Sequence, residues 1–394
     1  MRQSPTSVSV GVSAPRLFQT RLAVLFAALS VSAGVFLPYF PLWLETVGLT
    51  PAEIAMVLGA PMFLRVLTTP VLSSWADRAS DRATVLALVI PVSLLLSLGF
   101  FLPPTYALLL LLSLGLAVVW PVQTTLADSI ALSGVRRFGA DYSRMRVWGS
   151  ISFLLANFAG GIVLARSGAG SVPLMFSASL LACFLASFLV PRVGPPQAQR
   201  THEPAVPIMR RRRLMLFLTA TGFFHASHGF LWAFASIYWK SLGIDDTTIG
   251  ALWAFSVVAE TALFFAFPRW LAHLGAVRMA SIAGAASVIR WCLFPMIWPL
   301  GWSLAGFFAV QALHALSTGL LILAIQKMIA ESVPESQTGA AQGLHYFTSG
   351  FGMAAATVAS GPLYATFGAN GFLAMAGVAG LGLVFAVLAA RSAP

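Results

Sequence analysis

Twelve apolar runs of about 20 residues recur along the chain, and they restrict its fold more than any other feature. Each run is long enough to cross a hydrocarbon core of roughly 30 Å as a helix. Only 9% of the residues are charged, whereas soluble domains carry roughly a quarter. The sequence therefore predicts an all-α integral membrane protein that contacts the lipid bilayer, with spans at residues 20–44, 51–75, 82–101, 104–128, 143–166, 171–190, 213–240, 246–270, 276–297, 300–327, 337–362 and 368–390.

The net charge of +11 could suggest a nucleic-acid partner, but the positions of the basic residues argue against one. Most Lys and Arg fall in the loops that share a side with the N-terminus, which is the positive-inside pattern. This pattern predicts a multi-pass protein of the bacterial inner membrane with both termini in the cytoplasm. Cys183 and Cys292 lie in different spans, so neither a disulfide framework nor a metal site is implied.

An internal repeat divides the spans into two groups of six. WLETVGLTPAEIAMV at 43–57 aligns with YWKSLGIDDTTIGAL at 238–252 at a constant offset of 195 residues. A weaker similarity joins 158–170 to 358–370. The stretch 191–213 is rich in Pro and Arg and lacks an apolar period, as expected of a cytoplasmic linker. We therefore expect an N-terminal bundle at 1–190, a linker at 191–213 and a C-terminal bundle at 214–394.

The loop SWADRASDR at 74–82 resembles the loop signature of the major facilitator superfamily. The match rests on Asp77, Arg78 and Arg82. The resemblance implies two pseudo-symmetric six-helix bundles with a substrate site between them, and it gives this loop a role in latching and gating the halves. An ordinary positive-inside anchor would also account for these residues.

A few polar residues interrupt the apolar spans. Arg290 lies roughly 21 Å from the end of its span near residue 276, where an isolated charge costs at least about 3 kcal/mol. Arg65 also falls within a span. Glu260 and His314 reach a depth similar to that of Arg290, so Glu260 and Arg290 can form a charge pair and carry a proton. A static structural pair and a merely hydrogen-bonded histidine remain open, and packing remains open for His225 and His228.

Two further stretches resemble the lactose permease branch of the superfamily. ASVIRWCLF and VQALHALSTG match its ninth and tenth helices, which implies proton coupling through Arg290 and His314. DSIALSGVRRFGADYSRMRVWGSISF at 128–153 implies that Asp128 and Arg146 hold the substrate, with Phe153 where the permease stacks a Trp. Membership of the neighbouring basic loop remains open for Asp128 and Arg146. His228 replaces a seventh-helix aspartate and is a fourth candidate substrate contact. The tenth-helix glutamate of the permease is replaced by Ser317, so lactose is not the expected substrate.

The chain as a whole is more similar to the bacterial phenylpropionate permease-like group, through segments such as LPYFPLWLETVGL and WAFSVVAETALFF. This resemblance implies proton symport of a small organic solute, such as an aromatic acid, sugar or nucleoside. We expect a monomeric carrier that works by alternating access, is driven by the proton gradient and needs no cofactor.

Three other functions were weighed against symport. In an efflux antiporter the fifth span would contain a Gly-Pro kink, which ANFAGG at 156–161 lacks. No intramembrane protease or hydrolase motif occurs within a span, so an enzyme is not expected. A transport-inactive assembly factor of the same fold remains open.

Overall fold

The computed structural model describes residues 14–194, 209–334 and 337–392. Within these ranges the chain forms helices joined by short turns, without strands. Eleven helical stretches are long and apolar enough to cross a membrane, and the longest of them, Thr338–Arg391, contains two successive helices, so we count twelve spans. The predicted all-α membrane fold is confirmed. The helices are α1 (Phe18–Thr46), α2 (Pro51–Arg78), α3 (Arg82–Leu98), α4 (Tyr106–Phe138), α5 (Tyr142–Ser167), α6 (Val172–Ser187), α7a (Arg212–Ala226), α7b (Gly229–Ser241), α8 (Asp246–Trp270), α9 (Ala276–Leu293), α10a (Ser303–Ala312), α10b (Leu321–Ser332), α11 (Thr338–Phe367) and α12 (Gly371–Arg391).

Two spans are interrupted, and α4 extends furthest beyond its predicted end. The seventh span breaks at Ser227 and His228, and the tenth contains a π-helical stretch, Ala315–Leu320. Helix α4 continues ten residues past the predicted boundary at 128 and ends where Gly139 adopts a left-handed conformation with φ 65°. Asp128 therefore lies within a helix and not at its end, contrary to the sequence-based boundary. Of the predicted linker at 191–213, residues 195–208 lie outside the described ranges.

The internal repeat is visible in the helix boundaries. The turns after α1 and α7b each place a glycine at positive φ, Gly48 at 88° and Gly243 at 79°. In each turn a side chain then caps the following helix: Thr50 accepts from the backbone of Glu53, and Asp245 accepts from the backbone of Thr248. These caps satisfy N–H groups that have no partner within the helix. The two halves thus repeat the same helix–turn–helix unit at the offset of 195 residues.

The halves meet on one side of the molecule. We call the side where α1 begins and α12 ends the terminal side, and the other the opposite side. Toward the opposite side, α5 packs against α8 and α2 against α11. The closest approaches are between backbones: a Cβ at Gly250 would lie 2.6 Å from the carbonyl oxygen of Asn157, and one at Gly361 would lie 2.7 Å from that of Pro51. Within the N-terminal half Tyr39 donates a hydrogen bond to the carbonyl of Asn157, and its hydroxyl would lie 2.5 Å from a Cβ at Gly250 of the other half. We call this contact region the opposite-side seal.

On the terminal side the halves leave space between them. Arg146 lies three turns from Asn157 on the same face of α5, yet its side chain is 38% exposed. Asp128 of α4, beside it, is 33% exposed. From these exposures we infer a central cavity between the halves that is open toward the terminal side.

Candidate functional site

A buried polar cluster occupies the middle of the C-terminal half, centred on Arg290 of α9. The guanidinium is fully buried. Nη2 donates to Oε1 of Gln311 at 2.6 Å, and Nη1 lies 3.2 Å from Nδ1 of His314 and 3.3 Å from Oγ of Ser317. The guanidinium also stacks over the ring of Trp291, 4.8 Å from its centroid. Side chains of α9 and the tenth span thus surround the charge that looked out of place in the sequence.

His314 separates Arg290 from Glu260. Its Nε2 lies 3.3 Å from Oε2 of Glu260 on α8, and its Nδ1 faces Arg290. The direct pair expected from the sequence is therefore replaced by a chain in which an imidazole bridges the carboxylate and the guanidinium. Helix direction explains the difference, because the tenth span passes between α8 and α9 and brings His314 into the gap.

Donor and acceptor rules assign the protons in this chain. A guanidinium only donates, so Nδ1 of His314 must accept, and a neutral His314 carries its proton on Nε2 and donates to Glu260. A protonated His314 would have no acceptor for Arg290 and would repel it. The arrangement therefore fits an ionised Glu260, a neutral His314 and a charged Arg290, and it leaves Glu260 as the group that can take up a proton. The Glu260 side chain is 22% exposed, so it can exchange protons with water.

His228 belongs to the same cluster. Its Nδ1 lies 2.9 Å from the carbonyl of Phe224, so Nδ1 donates and Nε2 accepts. Nε2 lies 3.4 Å from Oγ of Ser317 and 3.3 Å from Oγ1 of Thr318. The side chain is buried, and Asp128 and Arg146 lie in the other half. The structure thus places His228 with the residues predicted for proton coupling and apart from the other candidate substrate contacts.

Irregular backbone positions this cluster. His228 occupies the break between α7a and α7b, and His314 immediately precedes the π-helical stretch. π-Bulges inside α-helices occur frequently at functional sites. Gln311, which the sequence analysis did not single out, completes the cluster and donates to the carbonyl of Leu252 at 3.1 Å. Its spacing of three residues from His314, which in turn precedes Ser317 by three, is the signal that could have identified it.

The candidate substrate pair lies in the N-terminal half. Nε of Arg146 is 4.0 Å from Oδ1 of Asp128, and the hydroxyl of Tyr142 donates to the same oxygen at 2.9 Å. The guanidinium also lies over the ring of Phe26, 5.5 Å from its centroid. Phe153 is two turns further along α5 on the face that carries Arg146, and it is half-buried. The structure thus joins Asp128 and Arg146, and it adds Tyr142, which the sequence analysis did not identify.

The predicted gating loop connects helices within the N-terminal half. Arg82 donates to Oγ of Ser133 at 3.2 Å. Asp81, which the sequence analysis passed over, caps α3 and accepts from the backbone of Gly194 at 2.7 Å. Arg78 ends α2 and is exposed, and the side chain of Asp77 is not among those described. The described part of the chain holds no group of three or more His, Cys, Asp or Glu suited to a metal ion.

The known proteins that this chain resembles are membrane transporters. A family model described as the MFS_1 like family matches residues 19–374. A probable 3-phenylpropionic acid transporter of Escherichia coli is 26% identical over 361 residues, covering 91% of this chain and 94% of that protein. A maltose permease of Geobacillus stearothermophilus is 25% identical and covers 67% of this chain and 68% of that protein. The crystal structure of the nucleoside transporter NupG superimposes with a TM-score of 0.83 at 15% identity, covering 95% of this chain and 100% of that chain.

Proposed function

The chain belongs to the MFS_1-like family and is a major facilitator transporter, and on that premise we propose that it is a proton-coupled symporter for a small organic solute. The solute is an aromatic acid, a sugar or a nucleoside, and it enters the cell across the bacterial inner membrane by alternating access. The relatives support this range, since their names include a 3-phenylpropionic acid transporter and a maltose permease. No cofactor is involved, because the proton gradient drives transport, and the carrier works as a monomer.

The chain from Glu260 through His314 to Arg290 is the observation that carries the proposal. Protonation of Glu260 removes the negative charge that balances Arg290, so proton binding and charge pairing compete for one carboxylate. A rearrangement of the tenth span that moves His314 would alter this competition. The proton is thereby taken up at one stage of the cycle and released at another. His228, Ser317 and Gln311 hold the bridge in position.

The substrate binds between the halves, in contact with the N-terminal pair. Asp128 and Arg146 are exposed to the central cavity, and Tyr142 orients Asp128. Phe153 offers an aromatic face on the same side of α5. His228 was the fourth candidate contact, and we assign it to the proton pathway, because it is buried beside Ser317 and Thr318.

The terminal side faces the cytoplasm in this proposal. The central cavity is then open inward, and Asp77, Arg78 and Arg82 take part in its closure at the cytoplasmic surface. A tag inserted within 191–213 should resist external protease in intact cells, and external cleavage would reverse the orientation. The unbroken course of α5 from Tyr142 to Ser167 favours uptake over efflux, because the exporter signature kinks this helix.

Uptake by membrane vesicles tests the function directly. Right-side-out vesicles containing the protein are supplied with radiolabelled 3-phenylpropionate, maltose or uridine, with and without an imposed pH gradient that is acid outside. We expect the gradient to drive accumulation of one of these classes and a protonophore to abolish it. Accumulation that ignores the gradient would exclude symport. A substrate driven outward by proton entry would support the efflux alternative.

A further inference from the structure

Arg65 is a charged residue within a span for which the proposed proton pathway and the Asp128–Arg146 pair provide no role. It lies fourteen residues into α2, roughly 21 Å from the start of that helix, near the middle of the span. The side chain is exposed. It makes no ion pair with the side chains that the structure describes. An unpaired cation at this depth is costly and marks a functional position more often than a structural one.

The exposure of Arg65 is toward the central cavity. On α2 the most exposed apolar side chains are Leu67 and Val71, at 63% and 67%, and they identify the lipid-facing side. Arg65 lies about 200° around the helix from Leu67. The next residue, Val66, packs on α11, where a Cβ at Gly350 would lie 2.6 Å from its Cγ2. The guanidinium therefore emerges beside the seam between the halves and not into lipid.

Tyr346 of α11 faces Arg65 across this seam. It is 67% exposed, lies one turn from Gly350, which contacts Val66, and interacts electrostatically with the guanidinium. Tyr346 lies about 140° around α11 from Phe351, which is 52% exposed. The two side chains are therefore exposed on different sides of α11. A phenol hydroxyl and a guanidinium can both donate to one anion. The two halves thus contribute one donor group each to the same part of the cavity.

The charges of the transport pathway do not cancel in the empty carrier. Arg146 is matched by Asp128, and Arg290 is matched through His314 by Glu260. Arg65 leaves one positive charge without a partner. A guanidinium fork is suited to a carboxylate, which it binds through two parallel hydrogen bonds. A ligand that brings one negative charge would complete the balance.

We propose that the substrate is a monocarboxylate anion, and that Arg65, with the hydroxyl of Tyr346, binds its carboxylate. The inference rests on the proposed function and narrows it, since sugars and nucleosides carry no such charge. Contact with both α2 and α11 also lets the anion draw the halves together on the terminal side. Arg65 is thus a specificity-determining residue, and Arg146 contacts the remainder of the solute.

An equilibrium binding assay tests this assignment. The full chain, purified in detergent at pH 7, is titrated with 3-phenylpropionate, benzoate and 3-phenylpropanamide, and the shift in its thermal unfolding midpoint is recorded. The amide has the shape of the acid without its charge. We expect the wild type to bind an acid at least tenfold more tightly than the amide. Arg65→Gln should lose that preference, and Arg65→Lys should retain part of it because the charge remains.

Arg391→Gln is the matched control, because it removes a positive charge from the exposed end of α12. It should bind like the wild type. The proposal is overturned if Arg65→Gln still prefers the acid, or if no carboxylate protects the wild type more than it protects Arg65→Gln. The assay uses no gradient, so its result is independent of proton coupling. If the gradient drives uptake of a neutral solute, and Arg65→Gln binds that solute with unchanged affinity, the substrate is not a monocarboxylate. Proton symport would still be supported by that result.

Discussion

Replacement of Glu260 by Gln removes the group that binds the proton and keeps the shape of the site. The Gln side chain has the same length, and its amide oxygen can still accept the hydrogen bond that Nε2 of His314 makes at 3.3 Å. Only the titratable charge is lost. We expect Glu260→Gln to abolish gradient-driven accumulation while substrate exchange continues, because exchange does not require the carrier to release its proton.

The structural cost of this change is small. A hydrogen bond to a charged group contributes about 1.5–3 kcal/mol and one between neutral groups about 0.5–1.5 kcal/mol. The expected loss is thus about 1 kcal/mol, less than the several kcal/mol that hold a fold together. The effect on transport is greater, because the whole driving force supplied by the proton gradient is lost. Each unit of pH difference supplies about 1.4 kcal/mol per proton, or about tenfold accumulation, and Glu260→Gln should reduce that factor to one.

Proteoliposomes provide the assay. Accumulation is measured with an imposed gradient of one pH unit, and exchange is measured by counterflow from preloaded vesicles without a gradient. Glu331→Gln serves as the control, since Glu331 is exposed near the end of α10b, and it should accumulate normally. If Glu260→Gln accumulates substrate as the wild type does, the Glu260–His314–Arg290 chain is a structural feature and the proton travels elsewhere.

Three further outcomes are expected. Arg146→Lys should weaken substrate binding about tenfold, because a planar guanidinium with five donors becomes a point charge, and unchanged affinity in a titration would remove Arg146 from the substrate site. Gly161→Leu should lower uptake more than tenfold, because the new side chain would strike the backbone of Asp246 in the opposite-side seal. Gly377→Leu, where a Cβ meets open space, should transport normally, and equal uptake by the two leucine variants would refute this account of the seal. If the solute is a monoanion carried with one proton, uptake should respond to pH but not to a potassium diffusion potential, and dependence on that potential would contradict the charge balance.

The sequence was sufficient to predict the spans, because hydrocarbon thickness sets their length and apolar composition marks them. It also predicted the repeat, whose boundaries recur with the same glycine and cap. The end of α4 was misplaced because the predicted span ended at Asp128, the first charged residue of the run, whereas the structure extends the helix and packs Phe138 on the ring of Phe18 at 5.6 Å. A helix can continue beyond the membrane, so hydropathy does not mark its end.

The sequence predicted which residues form the candidate site better than it predicted which of them contact one another. Arg290, His314 and Glu260 stood out because charged and titratable groups are rare in spans. Which of them touch depends on how each helix is rotated about its axis, and one chain without its neighbours does not determine that rotation. The break at His228 and the π-helical stretch after His314 contain neighbouring Ser and Gly, in SHG at 227–229 and STG at 317–319. The same pair at 349–350 lies within the unbroken α11, so it does not mark a break by itself. Both irregular stretches are stabilised by contacts between helices, so they became visible only in the assembled bundle.

The opposite-side seal joins the halves through glycines, backbone carbonyls and the Tyr39 hydroxyl, and the described residues contribute no ion pair across it. Contacts of this kind are short-ranged and are not screened by dissolved ions. In the proposed orientation the seal faces the periplasm, whose salinity and acidity follow the surroundings of the cell. The equilibrium between its closed and open forms should therefore change little when a bacterium moves from fresh to brackish water. In the proposed cycle the solute and the proton, and not the external salt, then control opening of the seal.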